Sequence, residues 1–434
     1  MFQSAIHPPV NFAGFGVDPF DKRIADLVAR RRRIAYYYDT PDTSTFRYRV
    51  LNMVQAINSI SGGDTSASWF CRADLNRMER FIDRADALVV CRARYTPMVD
   101  QMINRARVRG VPIFYDCDDF VFDPDYVPLL MATLDRDLGD NDDLNDWFAL
   151  VGRSSAVMRL CDRTIATNDF LAARMMQCGH RRPAHVIPNF LNREQQKLSA
   201  WLYHSKLANG FRSDGELVIG YFSGSPSHNR DFAVVAAALG QILADDLRIR
   251  LRVVGFLELN GTLANYADRI EFVPLQDPMN LQRYISEVEI NIAPLQSNLF
   301  TNCKSELKFF EAAVTGTITV ATPVHTFARS IEHGRTSFLA ESHEWFQMLK
   351  TAINVVDNPG EYRAMAERGY QVAVERYGWD VYGKSIVDSI FGAERPASAS
   401  PPSYGRVTHQ PTSCASTRTA VPARQAAMSS TAPS

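Results

Sequence analysis

The chain has 434 residues, of which 47 are Lys or Arg and 48 are Asp or Glu, so its formal net charge is −1. With 22% charged and 46% hydrophobic residues, it has an ordinary globular composition. The near-neutral charge excludes a protein that coats nucleic acid through net positive charge, and no nucleic-acid partner is expected. Seven scattered cysteines without a C-x-x-C pair argue against a disulfide framework or a zinc ribbon.

The first 33 residues read as an irregular and partly helical N-terminal extension. It ends in four consecutive arginines, residues 30–33, which are typical of a solvated helix end. Contact with an anionic membrane surface is the alternative. Neither a membrane span nor a signal peptide is recognisable, so a cytoplasmic protein is expected, with peripheral contact at the inner face of the membrane as an option.

From residue 34, short β-rich runs alternate with amphipathic helices, which predicts βα units around parallel sheets. The predicted strands are residues 34–38, 87–91, 112–116, 163–167 and 185–188, and then 217–222, 249–254, 270–273, 290–293 and 318–321. The expected fold is α/β, with two Rossmann-like domains that face a central cleft. The predicted domains are 34–205 and 215–378, followed by a closing helix at 379–392.

Residues 393–434 contain no Leu, Ile, Phe or Trp and are rich in Ala, Ser, Pro and Thr. Such a segment cannot bury enough apolar surface to offset its conformational entropy, which predicts a disordered tail.

Ligands of open α/β sheets bind at the carboxyl ends of the strands, so the loops there hold the candidate site residues. In the loop 221–231, small residues would let backbone N–H groups and the helix dipole approach a phosphate, and Arg230 would add a cation; a plain βα turn is the alternative. His228 in this loop would be a base or a phosphate donor, although a lone loop histidine is more often neither.

The segment 302–316 precedes another strand. Helical spacing brings Lys304, Lys308 and Glu311 within one or two turns of each other. A carboxylate can accept two ribose hydroxyls and a lysine can neutralise phosphate. An exposed ion pair is the alternative.

The stretch 308–321, with Lys308, Glu311 and Gly316 at its fixed points, resembles the donor-binding signature of GT-B glycosyltransferases of family 4. Segments 87–91, 110–119, 161–168, 186–190 and 334–340 resemble other landmarks of that family in the same order. The resemblance implies a retaining, metal-independent transferase without a cofactor, whose nucleotide-sugar lies on the C-terminal domain and whose acceptor lies on the N-terminal one.

By this resemblance, Glu311 would hold the ribose, and Arg230 would hold the diphosphate beside the backbone N–H groups of Gly224 and Ser225. Two positions depart from the family pattern. Cys303 stands where the family has a carboxylate, and Ser225 stands near its expected arginine. Lys304 would then supply the missing charge.

Asp116 ends a predicted strand, and Asp118 and Asp119 follow it. Asp118, at the family's histidine position, and Asp119 are expected to bind acceptor or sugar hydroxyls. Helix capping and a divalent metal are the alternatives. Arg47 and Arg49, after the first strand, could meet an anionic acceptor such as a lipid-linked diphosphate, or only solvate a helix start.

The predicted function is transfer of a sugar from a nucleotide-sugar donor to a glycan or lipid-linked acceptor in bacterial-type surface polysaccharide assembly. The groups in catalytic roles would be Arg230, Lys304 and Asp118, with no clear catalytic base. An epimerase or phosphorylase on the same architecture is the nearest enzyme alternative. A catalytically silent nucleotide-sugar-binding or scaffold protein is the alternative from another class.

Overall fold

The computed structural model describes residues 1–15, 17–41, 43–178, 184–224, 226–258 and 261–392. The predicted tail, 393–434, and Ser225 lie outside these residues. Two six-stranded parallel sheets form the core of two lobes, and helices cover both sheets. The α/β fold with two Rossmann-like sheets is therefore confirmed.

The N-terminal lobe is built on the first sheet, whose strand order is β2-β1-β3-β4-β5-β6. Its strands are β1 (Arg32–Tyr37), β2 (Thr65–Phe70), β3 (Ala87–Cys91), β4 (Ile113–Cys117), β5 (Arg163–Ala166) and β6 (Ala184–Val186). Its helices are α1 (Phe20–Leu27), α2 (Ser44–Phe46), α3 (Asn52–Asn58), α4 (Glu79–Ile82), α5 (Pro97–Val108), α6 (Val127–Thr133), α7 (Asn141–Leu160) and α8 (Asp169–Gln177). A π-helical segment, Arg47–Leu51, joins α2 to α3.

The C-terminal lobe is built on the second sheet, whose strand order is β12-β11-β10-β7-β8-β9. Its strands are β7 (Leu217–Ser223), β8 (Ile249–Gly255), β9 (Ile270–Val273), β10 (Ile290–Ala293), β11 (Ile318–Ala321) and β12 (Phe338–Leu339). The remaining helices of the chain are α9 (Arg193–Ala208), α10 (Asn229–Asp245), α11 (Pro278–Glu287), α12 (Leu299–Asn302), α13 (Leu307–Ala313), α14 (His325–Ser330), α15 (Trp345–Val356), α16 (Pro359–Tyr377) and α17 (Gly383–Phe391).

Two helices tie the lobes together. Helix α9 leaves the N-terminal lobe and packs against α11 of the C-terminal lobe, whereas α17 returns and packs against α3. A buried cluster that contains Tyr48, Phe310 and Ile386 continues from one lobe into the other. Apolar contacts therefore hold the two sheets in a defined orientation around the space between them.

The arginine run 30–33 is not a helix end. Helix α1 stops at Leu27, and Arg32 and Arg33 already belong to β1. The guanidinium of Arg30 donates to the carbonyls of Thr65 and Asn58. These contacts place the run at the amino end of the first sheet, far from the carboxyl ends of its strands.

Each sheet has one point at which the strand order reverses. In the first sheet this point lies between β1 and β3, and in the second it lies between β7 and β10. The loops that follow such strands diverge to opposite sides of the sheet and leave a crevice at its carboxyl edge.

Among the described helices, none combines the length and apolar character that a bilayer crossing requires.

Candidate active site

A cavity of about 470 Å³ lies between the two lobes and is called the cleft below. Its lining includes Thr45 and Arg92, which follow β1 and β3, and Gly224 and Leu295, which follow β7 and β10. These are the strands at the two reversal points, so both crevices open into one space. The volume is within the range of small-molecule sites.

The wall on the C-terminal lobe is cationic. Lys304, Lys308 and His228 line it, and Asp231 is the acidic group among them. The Lys304 Nζ lies 3.6 Å from Asp231 Oδ2, and the Lys308 Nζ lies 4.8 Å from the centre of the Tyr221 ring. Lys304 precedes helix α13, which begins at Leu307, and Lys308 lies in the first turn of that helix.

Burial and neighbouring charges set the pKa values of Lys308 and Asp231. It lowers the pKa of Lys308 to about 8, and repulsion from Lys304 acts in the same direction. For Asp231, burial opposes ionisation, but the hydrogen bond with His228 and the charge of Lys304 outweigh it and lower the pKa to about 2. The wall therefore combines a permanent carboxylate with a lysine that titrates just above neutrality.

His228 is held in place by Asp231. Its Nδ1 lies 3.1 Å from Asp231 Oδ2, and burial lowers the pKa of the imidazole, with further repulsion from the two lysines. Asp231 also accepts the backbone N–H of Gln296 at 3.0 Å. His228 is thus a fixed neutral group near pH 7, whose Nδ1–H donates to Asp231 and whose Nε2 can accept one hydrogen bond.

The wall on the N-terminal lobe carries acidic groups that are already paired. Asp118 accepts a hydrogen bond from Thr45 Oγ1 at 3.0 Å and lies 3.1 Å from Arg92 Nη1. The same Arg92 nitrogen lies 3.2 Å from Asp119 Oδ2. Both carboxylates line the cleft and keep unused lone pairs, since each can accept several hydrogen bonds.

Arginine side chains pair with the carboxylates of Asp116, Asp118 and Asp119. Asp116 points into the core and forms a bidentate pair with Arg49 at 2.7 and 2.8 Å. Arg92 already bridges the other two carboxylates. In the part of the chain that the structure describes, no cluster of three or more His, Cys, Asp or Glu side chains is suited to a metal ion.

Arg49 was expected to meet an acceptor, and this prediction is wrong. Its side chain is fully buried, and its N–H groups are used by Asp116, by the Ile187 carbonyl and by Asn189. The pair fixes β4 against the segment after β6. A buried charge whose three nitrogens all donate hydrogen bonds within the protein is a structural element.

Glu311 and Arg47 also differ from expectation, because neither lines the cleft. Glu311 is 4% exposed. Its Oε1 accepts hydrogen bonds from the Tyr48 hydroxyl and, at 3.2 Å, from Gln195, and it lies 3.4 Å from Arg47 Nη2. The N-terminal lobe therefore occupies the carboxylate that was predicted to hold ribose.

Arg230 turns away from the cleft as well. Its Nη1 donates to the Ala132 carbonyl at 2.6 Å, and its Nε lies 3.4 Å from Asp135. Asp135 also accepts the backbone N–H groups of Asn229 and Arg230, the first at 2.6 Å. A carboxylate from the N-terminal lobe thus occupies the N-terminus of α10, where sequence reasoning placed an anionic phosphate.

Two arginines of the cleft were missed. Arg92 follows β3 with φ 44°, and Arg136 lies beyond α6 on an exposed loop that lines the cleft. Within the described residues, the Arg136 guanidinium has no hydrogen bond or ion pair. The position of Arg92 directly after a predicted strand was a usable signal, whereas nothing in the local sequence marked Arg136.

The site residues predicted from the sequence therefore fall into two groups, those that line the cleft and those that do not. Lys304, Lys308, Gly224, His228, Asp118 and Asp119 line one cavity, whereas Arg230, Glu311, Arg47 and Arg49 do not. Cys303 is buried. A cysteine cannot act as the carboxylate of the family pattern. The Cys303 carbonyl accepts a hydrogen bond from Asn168 at 2.9 Å, so this position joins the lobes.

Comparison with known proteins supplies the family context. Residues 216–358 match the family model described as glycosyl transferases group 1. No curated protein matches the chain. The family match covers the C-terminal lobe, including β7 to β12 and the lysine-bearing wall of the cleft. It supports a glycosyltransferase.

Solved structures share the fold. The Anabaena protein Alr3699/HepE, in complex with UDP and glucose, has 12% identity and a TM-score of 0.57 over 83% of this chain and 99% of its own. Sucrose-phosphate synthase from Thermosynechococcus elongatus has 13% identity and a TM-score of 0.53 over 83% and 98%. A glycosyltransferase from Rickettsia africae has 11% identity and a TM-score of 0.54 over 82% and 97%. These proteins establish the GT-B fold.

Proposed function

We propose that the chain is a glycosyltransferase that moves a sugar from a uridine diphosphate donor to a hydroxyl of a glycan or lipid-linked acceptor, with retention at the anomeric carbon. The observation that carries the proposal is the pair of lysines in the cleft. They face the space between the lobes, and among the described residues that line this wall Asp231 is the carboxylate that opposes their charge. The choice of uridine rests on the UDP bound by the Anabaena neighbour.

The charges of the cleft suit this reaction. When the bond between the anomeric carbon and the diphosphate breaks, the leaving diphosphate gains negative charge. Lys304 and Lys308 lie in a partly buried wall, where the interaction with that charge is stronger than in water. Their contribution grows as the bond breaks, which is the condition for an increase in rate and not only in binding.

The opposite wall would hold the acceptor. Asp118 and Asp119 can each accept a hydrogen bond from a hydroxyl while Arg92 and Thr45 keep the carboxylates in position. The acceptor oxygen forms the new bond to the anomeric carbon as the bond to the diphosphate breaks, and its proton passes to an oxygen of the leaving diphosphate. Positioning of the two substrates across the cleft supplies much of the rate enhancement.

The same proposal includes the metal requirement, the cellular location, the pathway and the stereochemistry. The reaction needs no metal or other cofactor, because lysines neutralise the diphosphate. The protein works in the cytoplasm, in assembly of bacterial-type surface polysaccharide. Membership of family 4 and retention rest on the resemblance around residues 308–321, and NMR of the product's anomeric centre would test retention.

The test is a screen of nucleotide-sugars by thermal shift, followed by chromatography of reaction mixtures with and without EDTA. A ligand at about 100 times its dissociation constant adds roughly 2.7 kcal/mol to stability. The proposal expects stabilisation by a UDP-sugar and EDTA-resistant release of UDP. Binding without release or transfer, across a panel of acceptors, would favour the silent sugar-binding protein. Loss of activity in EDTA, restored by manganese, would contradict metal independence.

A further inference from the structure

A second cavity, of about 680 Å³, opens on the N-terminal lobe beside the cleft. We call it the arginine pocket. It lies at the carboxyl ends of β1, β2 and β3, and the residues that define it are Asp39, Arg72, Arg94, Thr96 and Arg153. Nothing in the proposed reaction uses these side chains.

The charges of the arginine pocket are unequal. Three guanidinium groups face one carboxylate, and Asp39 already accepts hydrogen bonds from the Tyr37 hydroxyl at 2.8 Å and from Arg72 at 3.0 Å. Arg94 has no hydrogen bond or ion pair among the described residues. Arg153 uses its Nε to donate to the Tyr95 carbonyl at 2.9 Å, which leaves its two Nη groups available.

A long helix adds to the positive potential. Helix α5 has twelve residues, and its first turn opens at the arginine pocket, where Thr96 accepts the N–H of Val99 as the N-cap. The positive end of the helix dipole therefore points to the same space as the free guanidinium groups. Guanidinium donors suit phosphate because their planar geometry matches two of its oxygens.

We propose that the arginine pocket binds a phosphate group of the acceptor. This inference rests on the proposed function, and it names the chemical class of the acceptor. Arg94 is two residues beyond Arg92 of the cleft, and β1 and β3 end in both cavities. Neighbouring strands lie about 4.8 Å apart, so a phosphate in the pocket would lie along the same edge of the first sheet as Asp118 of the cleft.

In this proposal the arginine pocket, and not the pair Arg47 and Arg49, binds the anionic group of the acceptor. Those two arginines come earlier in the chain, but both are buried and already paired. Arg94 and Arg153 lie on the same lobe and retain free donors. A sugar phosphate in solution and a lipid-linked diphosphate present the same group to them, and the experiment below separates these sources.

The test titrates inorganic pyrophosphate into the full-length protein by calorimetry, with UDP at saturation to occupy the cleft. The Arg94→Gln/Arg153→Gln variant should bind pyrophosphate at least about tenfold more weakly than the wild type. The matched control is Arg159→Gln, an exposed arginine on α7 that does not line the pocket. Equal pyrophosphate affinity in the wild type and the double variant, or an equal loss in the control, would overturn the proposal.

UDP affinity is measured in the same variants. This measurement distinguishes failure of the proposed donor site from failure of the proposed phosphate site in the arginine pocket. UDP affinity should be unchanged in Arg94→Gln/Arg153→Gln. If UDP does not bind at all but pyrophosphate still depends on Arg94 and Arg153, the pocket stands and the donor assignment falls. Flotation with phosphatidylglycerol vesicles, compared with phosphatidylcholine vesicles, then identifies the source. Arginine-dependent flotation supports a lipid-linked phosphate, whereas pyrophosphate binding without flotation supports a soluble one.

Discussion

The two walls of the cleft differ in how their charges are balanced. On the C-terminal lobe, Lys304 and Lys308 share one carboxylate, so positive charge remains for a ligand. On the N-terminal lobe, Arg92 pairs with both Asp118 and Asp119, and Arg136 also lines the cleft, so two positive and two negative side chains leave little net charge. An unbalanced wall can bind an ionic group, whereas a balanced one can orient neutral hydroxyls. We therefore assign donor binding to the wall of the C-terminal lobe and acceptor binding to the wall of the N-terminal lobe.

Lys308→Met should produce the largest effect. Loss of a charge that stabilises the leaving diphosphate should reduce turnover about a hundredfold, since a charge-assisted bond contributes roughly 1.5 to 3 kcal/mol. Lys350→Met on α15 is the control, because that lysine is exposed and remote from the cleft. Steady-state kinetics with a UDP-sugar measures both. Full turnover in Lys308→Met would remove this residue from the donor wall.

Asp118→Asn tests the opposite wall. The amide keeps the shape of the side chain but weakens its hydrogen bond to an acceptor hydroxyl. Transfer should fall about thirtyfold, the effect of roughly 2 kcal/mol, while UDP affinity stays constant. Calorimetry and product assays on one preparation compare the two. An equal fall in UDP affinity would show that Asp118 does not belong to the acceptor side alone.

The pKa of Lys308 predicts a pH effect of intermediate size. Burial lowers this pKa to about 8, and only the charged amine attracts diphosphate. Below pH 7.5 most of the lysine is protonated, and above pH 8 binding must take up a proton. UDP affinity should fall about eightfold from pH 7.5 to pH 9 if bound UDP keeps the lysine charged. In Lys308→Arg the affinity should stay level over this range, and an identical fall in that variant would point to another group.

Asp135→Asn should give the smallest change, and in the opposite direction. Asp135 brings negative charge to the N-terminus of α10, close to the donor wall. Removal of that charge should raise UDP affinity about threefold, in line with roughly 0.3 to 1 kcal/mol for a charge at a helix end. Asp137→Asn, on the same exposed loop, is the control. A lower affinity in Asp135→Asn would mean that the contact between the lobes helps donor binding.

Local patterns were sufficient for most of the fold. The run 87–91 is apolar throughout and the run 318–321 is apolar except for Thr319. They became β3 and β11, because strands covered on both faces need a nearly continuous apolar sequence. Strand β2 was missed since its Ser and Ala residues, Thr65–Phe70, lack a β-rich signature. Local patterns do not indicate helix α9, because polar residues such as Gln195 and Lys206 are buried on it through tertiary contacts.

The candidate site was harder to predict, because distant partners decide where a side chain points. Lys308 and Glu311 are three residues apart, but packing of Tyr48 onto α13 removes Glu311 from the cleft and leaves Lys308 within it. Arg49 is buried because Asp116, 67 positions later, lies beside it in the folded sheet. Neither pairing is visible in a local window of sequence.

The central claim is that the wall of the C-terminal lobe recognises diphosphate. The most direct measurement is the ratio of UDP affinity to uridine affinity, determined by calorimetry at pH 7 for the wild type and for Lys304→Met/Lys308→Met. The wild type should bind UDP at least about a hundredfold more tightly than uridine, and this ratio should fall to within about tenfold in the double variant. Uridine affinity should be the same in both proteins. An unchanged ratio in a folded double variant would contradict the claim.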